Sequence, residues 1–227
     1  NTKIRFPTAD TITAETAGTE RLRIDSSGRI GVGVVPTAQF AHNLIQIGHQ
    51  ATLGANAALS ATGQTFLTHN LYFDTGGTLK VFNTSNANEG AIFRLVDGQL
   101  RFSNSSATTG TPTVVERFRI DSNGKIGVGG APSAWQASTI SNVLQLGTAC
   151  LFNYNNDYFH VGQNFYWDGS NYKYVANDPA TRLLQDNGQF TFYGAASGSA
   201  DANISWTERF RIDSNGNIMT SGNVNVS

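Results

Sequence analysis

The sequence is short of charge. Only 14% of its 227 residues are Asp, Glu, Lys or Arg, and the formal net charge is −1; an ordinary soluble domain carries about 25% charged residues. Without an excess of Lys and Arg there is no electrostatic footprint for nucleic acid or for an anionic membrane surface. A single cysteine, Cys150, leaves no disulfide within the chain. No apolar run approaches the ~18 residues of a membrane span, and no signal-peptide pattern is visible. Proline is scarce, with five in all. Gly, Ser, Thr and Asn fill the gap, which favours turns and short strands over helices. These shortages exclude a helical bundle, a disulfide scaffold and a histone-like binder.

What is present is a repeat. Glu20-Arg-Leu-Arg-Ile-Asp-Ser-Ser-Gly28 returns as Glu116-Arg-Phe-Arg-Ile-Asp-Ser-Asn-Gly124 and again as Glu208-Arg-Phe-Arg-Ile-Asp-Ser-Asn-Gly216, at spacings of 96 and 92 residues. Upstream, Leu44-Ile-Gln-Ile-Gly48 matches Val143-Leu-Gln-Leu-Gly147, and Asn70-Leu-Tyr-Phe-Asp74 matches Asn164-Phe-Tyr-Trp-Asp168. The period divides the chain into the C-terminal part of one unit (1–38), a complete unit (39–134) and a second complete, aromatic-rich unit (135–227). Strand patterns at Lys3-Ile-Arg-Phe6 and Gly222-Asn-Val-Asn-Val-Ser227, with no initiating Met, suggest a piece of a longer array.

Each copy of the motif reads as a β-hairpin. Arg117-Phe-Arg-Ile120 alternates at the strand period, Asp121-Ser-Asn-Gly124 supplies a turn, and the return strand puts Ile126 and Val128 on the face of Phe118 and Ile120. Asp97-Gly98 has the chemistry of a two-residue type I′ turn that sets Leu95 against Leu100 and Phe93 against Phe102. Asn187-Gly188 repeats it. Further hairpins are expected at Asp74–Gly77 and Asp168–Asn171. Ala51 to Thr62 is rich enough in Ala to permit a turn of helix, against which Gly54, Asn56 and Gly63 weigh. The fold class is all-β, built from serial hairpin repeats.

Single hairpins are marginal in water, and open edges invite pairing with another copy. Two arrangements follow: an elongated homo-oligomer whose copies cover one another's apolar faces, or a row of self-sufficient β-sandwich beads. The repeated Glu-Arg-(Leu/Phe)-Arg-Ile-Asp-Ser-(Ser/Asn)-Gly hairpin, followed by Gly-Val-Gly and then Pro36 or Pro132, resembles the inter-repeat joint of tail fibre proteins of tailed bacteriophages, notably those of marine and cyanobacterial phages. The resemblance frames the chain at three joints and leaves the inserts between them uncovered. It implies a homotrimeric virion fibre, a shaft or spacer assembled in the bacterial host cytoplasm with other virion tail proteins and used in attachment to the host surface. A capsid or baseplate decoration fibre is a further alternative.

The joint residues Arg21, Arg23, Asp25, Gly28, Arg117, Arg119, Asp121, Gly124, Arg209, Arg211, Asp213 and Gly216 read as structural, since catalytic groups rarely recur three times. Their arginines are expected to pair with carboxylates of a neighbouring chain. No catalytic residue, cofactor or resident metal is expected. Gly31-Val-Gly33 and Gly127-Val-Gly-Gly130 are followed by proline where a dinucleotide loop needs a helix. His42, His49, His69 and His160 form no short ligand pair, although one such side chain per copy could meet on a threefold axis. Asp157, Asp168, Asp178 and Asp186 are the candidates for a polysaccharide-cleaving carboxylate pair, the enzymatic alternative. Fifteen of the 24 aromatic residues lie from Trp135 onward. Tyr166, Trp167, Asp168 and Tyr172 form the candidate glycan-binding group, because aromatic faces stack on sugar rings and Asp can bind hydroxyls; core packing is the competing role.

Overall fold

The structure is a computed structural model. It describes residues 1–39, 42–56, 63–83, 89–106, 110–136, 138, 140, 142–155 and 157–222. The described residues contain strands and turns and no helix, so none is long and apolar enough to cross a membrane. They form two compact units, Asn1–Arg117 and Phe118–Ser227.

The first unit begins with β1 (Lys3–Arg5), β2 (Ile12–Thr16), β3 (Thr19–Ile24) and β4 (Ile30–Val32), paired antiparallel in chain order. β5 (His42–Ile47) then lies parallel to β4. β6 (Ala51–Asn56) and β7 (Gln64–His69) continue antiparallel. A hairpin of β8 (Leu71–Phe73) and β9 (Leu79–Val81) leaves the sheet, after which β10 (Gly90–Val96) pairs back onto β7 and β11 (Gln99–Ser105) onto β10. β12 (Val114–Ile120) spans the division between the units.

The second unit follows the same order. β13 (Ile126–Val128) pairs antiparallel with β12, and β14 (Val143–Leu146) parallel with β13. β15 (Ala149–Tyr154) and β16 (Tyr158–Gln163) are antiparallel, β17 (Phe165–Trp167) and β18 (Tyr172–Tyr174) form the inserted hairpin, and β19 (Ala180–Asp186) returns to β16. β20 (Gln189–Ala195), β21 (Thr207–Ile212) and β22 (Ile218–Thr220) complete the unit as antiparallel neighbours. The two inserted hairpins are separate two-stranded sheets; the other eighteen strands belong to one mixed sheet.

Local chemistry explains the turns. Asp97 and Gly98 take φ of 52° and 71°, and Asn187 and Gly188 take 46° and 76°, the left-handed pair that a type I′ turn requires. Asp25, Asp121 and Asp213 each accept two backbone N–H groups on Oδ1, from the residues two and four positions on, at 2.8 to 3.0 Å. The glycines of the two Gly-Val-Gly runs have a packing role: a Cβ on Gly31 would strike the Val34 carbonyl and the Pro36 ring, and one on Gly127 the Gly130 carbonyl and Pro132. The chain folds tightly back there before crossing over to the parallel strand.

Two features differ from the sequence expectation. Ala51–Asn56 is a strand, because Gly54 leaves room for the Phe66 ring against the backbone, with Phe66 Cζ 2.5 Å from where a Cβ would stand; residues 57–62 lie outside the described residues. Residues 223–227 of the C-terminal strand pattern also lie outside them. The joints are mixed, with a parallel pairing after each Gly-Val-Gly run. The crossover is stapled by buried glutamines: Gln46 accepts Thr37 N–H at 2.8 Å, and Gln145 accepts both Ser133 N–H and Trp135 Nε1–H at 2.8 Å.

Each unit has a core between the sheet and its inserted hairpin. In the first it is Phe66, Leu71, Phe73, Val81 and Ile92. In the second it is larger and aromatic: Trp135, Ile140, Val143, Cys150, Phe152, Phe165 and Tyr166. Asn70 and Asn164, buried at φ of 55° and 65°, turn the chain from sheet to hairpin, and their side-chain amides hold the segments that return.

Candidate functional site

The side of the sheet away from the inserted hairpin carries an apolar row. In the first unit the directly opposed residues run Ile12, Ile24, Ile30, Ile45, Leu53, Leu67, Phe93 and Phe102. Leu53 is 45% exposed and Leu67 53% exposed. In the second unit the corresponding row is Ile120, Ile126, Leu144, Leu151, Val161, Leu183, Phe192 and Phe210. Phe192 is exposed and the others are half-buried, as cross-strand neighbours shade one another. A shorter row runs beside each: Leu22, Val32 and Ile47 in the first, Phe118, Val128 and Leu146 in the second.

Arg21, Arg23, Arg117 and Arg211 find side-chain partners within the chain. Arg23 makes a bidentate pair with Glu20 at 2.7 and 2.8 Å, and Arg211 pairs with Glu208 at 3.1 Å. The Arg23 guanidinium holds the Glu20 carboxyl below its usual value. Strict alternation would put residues three apart on opposite faces. A β-bulge prevents this: Arg21 and Arg209 are the extra residues between pairs Ala14–Leu22 and Glu15–Glu20, and between Phe192–Phe210 and Tyr193–Glu208. Arg21 donates to Thr16 at 3.1 Å and Arg117 to Asn104 at 2.7 Å, while Arg209 is exposed. Arg119 is half-buried and also has an interaction. Gly28, Gly124 and Gly216 all take φ between 75° and 84°, which closes the Asp turn. At the position of Arg29, the second unit has Lys125, 1% exposed, whose Nζ donates to the Trp135 carbonyl at 2.7 Å and whose pKa is lowered by burial.

The glycan-binding candidates divide between two environments. Tyr166 lies on the face of β17 opposite Phe165 and Trp167 and packs beside Trp135; it is buried, donates to Asp201 at 2.7 Å and is pushed up to about 12, first by desolvation. Asp168 is a turn residue that accepts Ser170 and Asn171 N–H at 2.7 Å, and these bonds lower its pKa. Trp167 and Tyr172 instead face each other across β17–β18, ring centroids 4.9 Å apart, and line a cavity of about 370 Å³ with Tyr154, Tyr158, His160, Arg182 and Leu184. Strand alternation puts His160 and Arg182 on the face opposite Val161 and Leu183, hence away from the apolar row.

His160 and Arg182 carry no signal in a sequence read for aromatics. His160 is 2% exposed, stacks on Phe152 at 4.3 Å between centroids, and is lowered to about 3 by desolvation and then by the charge of Arg182. Arg182 is 8% exposed and lies 4.7, 4.3 and 4.8 Å from the ring centres of Tyr172, Tyr193 and Trp206. Cys150 is buried beside the Phe165 carbonyl and pushed up to about 12, away from thiolate chemistry.

Of the four candidate carboxylates, Asp157 and Asp186 line one open groove between two turns. Asp168 lies in the hairpin turn and Asp178 outside that groove. His49 and His69 are exposed, and the side chain of His42 lies outside the described residues. Among the described residues no three His, Cys, Asp or Glu side chains converge as metal ligands. Comparison of the chain with family models, with curated proteins and with solved structures finds no match.

Proposed function

We propose that the chain is a structural segment of a homotrimeric virion fibre, a tail fibre shaft or spacer that supports attachment to the host cell surface. The observation that supports this reading is the apolar row, recurring with the same strand order in both units and left open to water in each. Burying such rows is worth about 25 cal/mol per Å² removed from water, and neither unit's own hairpin lies on that face. A second copy offers the matching pattern, since its rows recur at the same spacing. The number three comes from the resemblance of the joints to tail fibre repeats, as do the virion location and the association with other tail proteins.

Leu67, central in the row of the first unit, tests the reading. Leu67→Asp is expected to dissociate the assembly while the far-ultraviolet strand signal persists. A Leu67→Asp protein that assembles as the unmodified chain does would contradict a buried row.

A further inference from the structure

The cavity beneath the second unit's hairpin contains a charge without a counter-ion. No carboxylate of the described residues pairs with Arg182, although the guanidinium is more than nine-tenths buried. Asp186, on the same face of β19, accepts from the Asn187 amide at 2.6 Å instead. Three aromatic faces attract the cation but supply no negative charge, and a buried charge is costly unless it is paired. Arg182 Nε, His160 Nδ1 and Trp167 Nε1 are all buried without a hydrogen-bond partner. The Arg182 guanidinium also interacts with the Tyr172 and Tyr193 side chains, yet three unpartnered nitrogen atoms on residues lining or beside one cavity call for an explanation.

The first unit shows what the same positions look like when they only fill a core. By strand register, Phe66 stands where the second unit has His160, and Ile92 where it has Arg182. Both are 1% exposed and apolar. The rest of the cavity has a mixed character: Tyr154, Tyr158, Trp167 and Tyr172 each combine a ring face with a polar tip. That combination suits a ligand with an apolar ring face and a hydroxylated edge.

We propose that this cavity binds an acidic sugar, a hydroxylated ring bearing a carboxylate as in a uronic acid, with Arg182 pairing the carboxylate and the Tyr and Trp faces holding the ring. The imidazole of His160, held neutral by burial, adds a hydrogen-bonding group without adding charge. The site belongs to the second unit alone and does not depend on the fibre reading; its failure would leave the assembly measurement untouched.

The test is titration of the unmodified 227-residue protein with sodium glucuronate, followed by the nuclear magnetic resonance signal of the Trp167 indole N–H. Glucose serves as the neutral ring and sodium acetate as the bare carboxylate. A saturable shift with glucuronate is expected, with glucose and acetate weaker by about tenfold or more. Arg182→Ile, the residue of the first unit at this position, is expected to abolish the glucuronate response, and Arg182→Lys to weaken it by losing the planar fork. No saturable response of the unmodified protein would overturn the proposal, as would undiminished binding by a folded Arg182→Ile. Acetate binding as tightly as glucuronate would overturn the sugar assignment. If Arg182→Ile does not fold, Arg182→Lys and the unmodified protein still decide the question.

Discussion

The two units share a strand order and differ in what lies under the inserted hairpin. The first closes its core with Phe66 over Gly54 and with Ile92, an aliphatic–aromatic cluster. The second fills both positions with rings: the position of Gly54 holds Phe152, the position of Phe66 holds His160, and the two rings stack with planes 4° apart. A second ring is added and polarity is introduced. The comparison teaches that the sheet face under the inserted hairpin is the variable element, while the opposite apolar face recurs.

Truncating the shared site should separate the units most strongly. Phe66→Ala is expected to cost about 3–5 kcal/mol by transfer and cavity terms, measured by urea unfolding. His160→Ala should cost less, because it also removes a buried unsatisfied nitrogen. Equal losses would break the contrast.

Acid should act next, through His160 on the second unit. His160 has a folded pKa of about 3 against an ordinary 6.5, so the unfolded chain binds the additional proton between those values. The stability contributed by neutral His160 is complete above about 6.5 and is lost as pH falls toward 3, by on the order of a few kcal/mol. His160→Phe should remove that slope, read from unfolding midpoints across the pH range, with Phe66 providing no counterpart in the first unit.

Gly54→Ala sharpens the difference further. Its Cβ would meet the Phe66 ring at 2.5 Å, and overpacking of this kind costs about 1–3 kcal/mol. The smallest expected effect is at the joints: Glu20→Ala removes a partly exposed ion pair with Arg23, worth about 0.2–1 kcal/mol. Thermal unfolding checks both.

Much of the hairpin structure was legible in the sequence. Asp97-Gly98 and Asn187-Gly188 require left-handed backbone, and the registers they set put Phe93 opposite Phe102 and Leu183 opposite Phe192. The Asp turns at the joints follow equally from side-chain chemistry. The bulges at Arg21 and Arg209 were not legible, because nothing in Glu-Arg-(Leu/Phe)-Arg marks which residue drops out of register; the bulge makes Glu20–Arg23 an internal pair. The parallel joints were hidden for a similar reason, since Gly31 and Pro36 signal a tight fold-back without its destination. Of the candidate sugar-binding group, aromatic density located Trp167 and Tyr172 at the cavity. It could not separate them from Tyr166, whose orientation depends on strand phase, or reveal Arg182, whose significance lies in having no carboxylate partner among the described residues.

Sedimentation equilibrium of the unmodified protein tests most directly whether the open rows are covered by further copies. The expected mass is three times the chain's 24.3 kDa, persisting on dilution. A stable particle of 24.3 kDa would contradict it.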